Sequence, residues 1–177
     1  MSIGLIIIQS IIIAIVIMPF ALFLGGNKKK VAELRKALEA EATQNNCKFH
    51  KVEVHGNFAI GIDTTNQKLF FYRKNKSGAY AKVVDLKSVS FCKPIKETKR
   101  VKDKSKHYDV IEKIGLAFFN NNHNRVISIE FFNYDEMILN DELVVAEEWH
   151  KFLNEVLTPK EDVKTVEKQK ELTVAVS

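Results

Sequence analysis

The sequence predicts a mainly β domain that is closed by one C-terminal α-helix and preceded by a single transmembrane helix. Three observations lead to this fold class. An uncharged apolar run occupies Ile3–Leu24. Between Lys48 and Phe131, several short stretches alternate apolar with polar residues, which is the period of a strand with one buried face. Near the end of the chain, apolar residues recur at helical spacing from Val145 to Val156.

The apolar run is long enough to cross a bilayer. As a helix its 22 residues extend about 33 Å, against a hydrocarbon core of about 30 Å. The alternative is a cleaved signal peptide, but that would have a basic leader and a shorter apolar core. Positive charges follow the run at Lys28–Lys30, Arg35 and Lys36. By the positive-inside rule we expect one crossing of the cell membrane, with the N-terminus outside and the C-terminal domain at the cytoplasmic face.

Composition divides the rest of the chain into segments. We expect a transmembrane anchor over 1–26, a juxtamembrane helical linker over 27–46, a β domain with its capping helix over 47–157, and a polar flexible tail over 158–177. In the linker, Val31, Leu34 and Leu38 fall on one helical face. Such a stripe could form a dimeric coiled coil, but it lasts barely two heptads, so a plain spacer is the preferred interpretation.

The predicted strands are separated by turn residues. Apolar residues alternate from Phe58 to Ile62, a turn follows at Thr64–Gln67, and Leu69–Arg73 returns, which predicts a hairpin. Further strands are predicted over 48–54, over 81–92 with an interruption near 85–88, over 114–118 and over 127–131. Six or seven short strands in succession favour two packed antiparallel sheets or a partly open barrel, capped by the helix at one end or edge.

These stretches resemble the pleckstrin-homology-like (PH-like) superfold, especially the small bacterial PH-like domains. The matching residues are Phe58–Lys74 (FAIGIDTTNQKLFFYRK), Val83–Phe91 (VVDLKSVSF), Arg125–Asn133 (RVISIEFFN) and the closing helix with Trp149. The resemblance covers Cys47–Leu157, about two thirds of the chain. It implies that Trp149 is buried in the core. Domains of this superfold bind phosphoinositides, peptides or proteins, and some only scaffold, so the resemblance implies a binding module without choosing its ligand.

A charged insertion at Lys93–His107 departs from the minimal PH-like pattern. It carries seven basic residues against two acidic ones. The basic residues are Lys93, Lys96, Lys99, Arg100, Lys102, Lys104 and Lys106. A mobile basic loop beside a bilayer can gain about 1 kcal/mol per well-placed Lys or Arg from anionic lipid. The alternative is a solvated hairpin loop whose charges only keep the domain soluble.

Composition argues against catalysis. The five histidines form no close pair on one helix face, and the seven glycines include no phosphate-binding loop. Cys47 and Cys92 lack metal-ligand spacing and should stay reduced in the cytoplasm. We therefore expect no enzyme activity, no cofactor and no metal. The net charge of +5 on a membrane-tethered chain favours anionic lipid over nucleic acid, and no nucleic-acid partner is expected.

Two functions of different classes follow from these observations. The first is a membrane-tethered binding or scaffold module that contacts a protein partner or anionic lipid through the basic insertion. The second is a non-catalytic structural subunit of a membrane complex. Such a subunit would assemble through its transmembrane helix, with the polar side chains of Gln9 and Ser10 in the helix contact.

Overall fold

The structure, a computed structural model, describes Ile13 and residues 28–75, 78–103 and 106–158. Apart from Ile13, the predicted transmembrane helix lies outside these residues, including Gln9 and Ser10, and so does the predicted tail beyond Thr158. Among the residues that are described, no helix is both long enough and apolar enough to cross a membrane.

The described chain is mainly β, with two antiparallel sheets and a C-terminal helix. Helix α1 (28–44) comes first. The elements after it are β1 (Lys51–His55), β2 (Phe58–Asp63), β3 (Lys68–Asn75), β4 (Gly78–Asp85), a short 3-10 helix (Leu86–Ser88), β5 (Phe91–Asp103), β6 (Lys106–Phe119), β7 (Arg125–Asn133) and α2 (Glu142–Leu157). Strands β1 to β4 form one sheet in sequence order, and β5 to β7 form the second. This confirms the predicted class of two antiparallel sheets with a C-terminal helix.

The chain separates into two compact units, one ending at Val84 and the other beginning at Asp85. The N-terminal unit holds α1 and the four-stranded sheet. The C-terminal unit holds the three-stranded sheet and α2. The boundary lies beside the short 3-10 helix, where the sequence predicted an interruption of the strand pattern.

Helix α1 packs against one face of the four-stranded sheet. Its apolar stripe buries Leu34, Leu38 and Ala42, which share a hydrophobic cluster with Ala59 and Phe70. The interpretation of this helix as a plain spacer is therefore wrong, because its apolar face is covered by the unit's own sheet. The helical stripe was read correctly, but the sequence pattern alone does not say which surface covers it.

Small residues in β2 leave room for α1. A Cβ atom added at Gly61 would lie 2.9 Å from the Phe49 ring and 3.2 Å from Leu38. Ala59, on the same face, is fully buried. Strand β2 is consequently buried along its whole length, whereas its alternation predicted burial of the opposite face alone.

Asp63 organises the turn from β2 to β3. Its carboxylate accepts hydrogen bonds from the backbone N–H groups of Lys48, Thr65 and Asn66, each at 2.9 Å, and from Asn66 Nδ2 at 2.7 Å. Burial raises the pKa of this carboxyl, but the hydrogen bonds outweigh burial and hold the pKa well below its usual range. The hairpin predicted around Thr64–Gln67 is confirmed by the antiparallel pairing of β2 with β3.

In the C-terminal unit, α2 packs on the three-stranded sheet. Trp149 and Leu153 are completely buried, which confirms the prediction that Trp149 belongs to the core. Asn154 ties the helix to strand β5, because its side chain accepts a hydrogen bond from the N–H of Cys92 at 2.9 Å and donates one to the carbonyl of Cys92 at 3.0 Å.

Strands β6 and β7 approach closely at Gly115. A Cβ atom there would lie 2.1 Å from the carbonyl oxygen of Ile129, and the strand register shifts between Ile114 and Gly115. Because backbone atoms occupy the space that a side chain would need, only glycine fits at this position.

Candidate functional site

The predicted basic insertion is the outer part of a long β-hairpin. Strand β5 pairs with β6 from Phe91 opposite Phe119 to Asp103 opposite Lys106, so the loop predicted at Lys93–His107 is wrong. Alternation of apolar and polar residues reports burial of one face. The outer hairpin is largely exposed on both faces, so its sequence lacks that alternation. We name residues 93–110 the basic hairpin.

The basic side chains lie on both faces of this hairpin. Successive residues of a strand point to opposite faces, and directly paired residues share a face. Six of the seven predicted basic residues are described, and they divide evenly between the two faces. Lys96, Arg100 and Lys102 lie on one face, and Lys93, Lys99 and Lys106 lie on the other. Lys104 lies outside the described residues. The structure therefore distributes the predicted basic residues around the hairpin and gathers them on neither face alone.

Two of these residues form ion pairs. Lys99 Nζ lies 2.8 Å from Asp135 Oδ1, and Arg100 Nε lies 3.2 Å from Asp109 Oδ1. The hydrogen bond to Asp135 raises the pKa of Lys99. Even so, the sequence between residues 93 and 110 contains seven basic and three acidic residues, an excess of four positive charges.

Lys93 sits at the base of the hairpin on a pair of aromatic rings. Phe91 and Phe119 stack with their centroids 5.1 Å apart. Lys93 Nζ lies 5.4 Å from the first centroid and 6.0 Å from the second. Cation–π contacts of this exposed kind are worth about 0.5–1 kcal/mol. They hold the Lys93 ammonium close to the sheet, so the charge farther out comes from the other basic residues.

An apolar groove adjoins the basic hairpin. It has a volume of about 570 Å³, and its lining residues are Val110, Ile111, Phe132, Tyr134, Met137, Ile138 and Leu139. Lys99 stands beside it, with Nζ 4.6 Å from the centre of the Tyr134 ring. The groove therefore places apolar surface directly next to positive charge.

Large apolar side chains around this groove are exposed to solvent. Ile138 is 84% exposed, Tyr134 40% and Leu139 36%, and all three line the groove. Tyr108 is 46% exposed and precedes the lining residue Val110 by two positions on β6. We name these four side chains the apolar patch. Sequence reasoning assigned no role to residues 134–139. The run Met137-Ile138-Leu139 in an otherwise polar connection between β7 and α2 was the signal that could have drawn attention to this surface.

Both cysteines are buried free thiols, Cys47 in the N-terminal unit and Cys92 in the C-terminal unit. Burial raises the pKa of Cys92 to about 12 and also raises that of Cys47. The nucleophilic thiolate is therefore scarce at neutral pH. In the part of the chain that the structure describes, no group of three or more His, Cys, Asp or Glu residues could hold a metal ion.

The basic hairpin and the apolar patch together are thus the surface best suited to binding.

Comparison of the chain with models of protein families, with curated proteins and with solved structures finds no match to any of them.

Proposed function

We propose that this chain is a single-pass, membrane-tethered binding or scaffold module of the PH-like class. It acts at the cytoplasmic face without catalysing a reaction. Its basic hairpin contacts an acidic surface, either anionic lipid headgroups or an acidic face of a protein partner. The observation that carries the proposal is the excess of four positive charges on one projecting hairpin.

The strand order supports the PH-like assignment. Four strands in one antiparallel sheet, three strands in a second and one closing helix match the layout that the sequence resemblance implies. A fold of this class does not fix a ligand. The choice of partner therefore rests on the charge and exposure of the hairpin.

The packing of α1 supports a short tether. The buried stripe of α1 makes this helix part of the folded N-terminal unit, and the described part of the helix starts at Lys28. If the anchor ends at Leu24, four Cα-to-Cα steps separate the two, which span at most about 14 Å. The folded chain would then stay beside the headgroups. Such a tether raises the effective concentration of the bilayer at the hairpin.

The charges set the size of the expected effect. Lys96, Lys102 and Lys106 are exposed, and among the residues whose side chains are described, which exclude Asp103, none forms an ion pair with them. Lys96 and Lys102 lie on one face and Lys106 on the other, so a flat surface that meets one face contacts at most two of them. At about 1 kcal/mol for each lysine near an anionic surface, two together favour contact by roughly 30-fold. A hairpin whose charges only maintain solubility would show no such preference.

The test uses the full chain in lipid nanodiscs, with a fluorophore on a cysteine introduced as His107→Cys near the hairpin tip. The native thiols are buried, which directs the label to the new position. A nitroxide carried on the lipid headgroup reports contact by quenching. We expect strong quenching in anionic discs that weakens with salt, and little quenching in neutral discs. Lys96, Lys102 and Lys106 replaced together by Gln should abolish it.

A matched variant controls for net charge. Lys48, Lys87 and Lys151 are exposed lysines outside the hairpin, and replacing them together by Gln removes the same charge. This variant should retain the quenching. The protein-partner arm is supported if the discs give no quenching but a photo-crosslinker at position 107 captures one acidic protein in native membranes, and the hairpin variant alone loses it. A second crosslinker at Gln9, in the predicted transmembrane helix, tests the alternative. Capture of a partner from position 9 with none from position 107 and no quenching in the discs would overturn the proposal in favour of a structural subunit.

A further inference from the structure

We infer that the apolar patch inserts into the interfacial layer of an anionic bilayer, with the basic hairpin on the headgroups beside it. This inference rests on the lipid arm of the proposed function and adds a second, apolar component to it. The partner is thereby the membrane itself, and acyl chains replace water along the groove.

The exposure of the patch is built into the connection between β7 and α2. The N–H groups of Glu136 and Met137 donate to the carbonyl of Asn133 at 3.1 and 3.2 Å. On the other side, the N–H of Asn140 donates to Glu142 Oε2 at 2.7 Å. These bonds fix the backbone on both sides of Ile138 and Leu139. Ile138 is thus held in solvent just after the turn at residues 134–136, and Leu139 beside it is about one-third exposed.

The tyrosines and charged residues beside the apolar patch favour a bilayer as the partner that covers it. Tyrosine is enriched where one end of a side chain is in apolar surroundings and the other is wet, as at a membrane interface. Tyr108 and Tyr134 are both half exposed, and Lys99 lies over the second ring. The connection itself carries three acidic residues, Asp135, Glu136 and Asp141. Asp135 is paired with Lys99 at 2.8 Å, and the other two offset part of the positive charge of the neighbouring hairpin.

The register of β5 with β6 shows how basic and aromatic side chains are arranged on the basic hairpin. Tyr108 is directly opposite Val101, so it lies on the face of the hairpin that Lys99 and Lys106 share. Positive charge and exposed aromatic surface therefore occur on that face, whereas Lys96, Arg100 and Lys102 lie on the other. An amphipathic surface of this kind binds anionic membranes through apolar burial and charge together.

The groove beside the patch offers further apolar surface that an acyl chain could contact. Its volume of about 570 Å³ falls within the roughly 300–1,000 Å³ that apolar ligand sites occupy. Phe132 lines it and is almost wholly buried, whereas Ile138 lines it from the exposed side. A chain end that enters the groove would cover apolar surface that otherwise faces water.

The test places an environment-sensitive fluorophore on the full chain at Ile138→Cys, in anionic nanodiscs with quenchers at headgroup and upper acyl depth. The matched control is Val126→Cys, another exposed apolar position, near the start of β7. At about 3.4 Å per residue it lies roughly 24 Å along the strand from Asn133. We expect the label at 138 to be quenched most by the acyl-depth probe, and the label at 126 to be unaffected.

A second variant measures the apolar component. In the chain labelled at position 107, Ile138→Ser with Leu139→Ser should leave contact at low salt nearly intact. At high salt, where charge is screened, it should lower the remaining contact at least roughly tenfold, since each buried apolar side chain contributes about that factor. Both positions are exposed, and protection of the Cys92 thiol checks that the variant is folded.

The outcomes separate the two proposals. Quenching at 107 without acyl-depth quenching at 138, and with no effect of the serine variant, overturns the insertion and leaves the electrostatic contact standing. Absence of quenching at both 107 and 138 in anionic discs removes the lipid arm of the proposed function itself. Equal acyl-depth quenching at 126 and 138 would indicate a different membrane-facing surface and also overturns the inference.

Discussion

Replacing Asp63 with alanine should destabilise the N-terminal unit by about 3 kcal/mol. The buried carboxylate accepts three backbone hydrogen bonds and one side-chain hydrogen bond. Hydrogen bonds to a charged group contribute about 1.5–3 kcal/mol each when fully buried. The donors belong to residues that are largely exposed, so water recovers part of each loss. About 1 kcal/mol for each of the three backbone bonds gives the total.

The effect should also depend on pH. The hydrogen bonds hold the pKa of Asp63 in the folded chain below its ordinary value, which is about 3.9 in an unfolded chain. A lowered folded-state pKa stabilises the fold above the unfolded value, and this stabilisation is lost as the pH falls toward the folded value. The difference between wild type and Asp63→Ala should therefore be constant near neutral pH and should shrink below about pH 4.

Near neutral pH the two buried cysteines supply the assay, and below about pH 5, where thiolate is too scarce for labelling, far-UV circular dichroism follows the same urea unfolding. Pulsed thiol labelling of the full chain in detergent micelles, as a function of urea, follows opening at Cys47 in the N-terminal unit and at Cys92 in the C-terminal unit. With a urea slope of about 2 kcal/mol/M, Asp63→Ala should lower the midpoint at Cys47 by about 1.5 M. The control is Asp85→Ala, where an exposed carboxylate accepts one bond, from the Lys87 N–H at 3.1 Å.

Two results would refute this reasoning. One is a shift of the Cys47 midpoint for Asp63→Ala that is no larger than the shift for the Asp85 control. The other is a gap between wild type and variant that stays unchanged when the pH falls well below the ordinary carboxyl range.

Three further predictions concern packing and can be measured by the same thiol labelling. Leu38→Ala, at a completely buried position of α1, should lower the free energy of unfolding by about 2–5 kcal/mol. Val31→Ala, at a position 46% exposed, should lower it by under about 0.5 kcal/mol. Equal losses would mean that α1 is not packed on the sheet. Gly115→Ala should prevent a native C-terminal unit from forming, because its Cβ would overlap a backbone oxygen, and native protection of Cys92 in this variant would contradict the close strand contact. Asn154→Ala should lower stability by about 1–3 kcal/mol by leaving both backbone groups of β5 without their helix partner, and a loss under about 0.5 kcal/mol would show that water replaces the side chain.

The hairpin from Phe58 to Lys74 could be predicted because two signals agree there. Apolar alternation marks the strands, and the polar run at Thr64–Gln67 marks the turn. The burial of the second face of β2 could not be predicted in the same way. Ala59 and Gly61 are small and lie on the face predicted to point outward, but α1 and the Phe49 ring pack on that face.

The basic hairpin shows why periodicity fails for exposed strands. Thr98, Val101 and Val110 favour extended structure, but lysines between them remove the two-residue pattern. The strand persists because the inner part of the hairpin is anchored by buried residues such as Leu116. Cross-strand hydrogen bonds then continue outward. Charge counting therefore selected the residues of the candidate site, whose role stays a prediction, while the strand structure of the segment was not predicted.

The apolar patch lies beyond the reach of pattern analysis for another reason. Ile138 and Leu139 belong to a short connection with no repeat, and a short apolar run of this kind is usually a strand end or core contact. Only coordinates show that Ile138 faces solvent and that Tyr134 lies under Lys99. The membrane anchor and the PH-like assignment stay predictions.

The most direct test of the account asks on which side of the membrane the basic hairpin lies. Cells producing the full chain with His107→Cys are treated with a membrane-impermeant maleimide, and the parent chain with its two buried thiols gives the background. The account predicts no labelling of position 107 in intact cells, full labelling in inside-out vesicles, and retention of the chain in membranes after an alkaline wash. Labelling of position 107 from outside intact cells, or release of the chain by the wash, would contradict it.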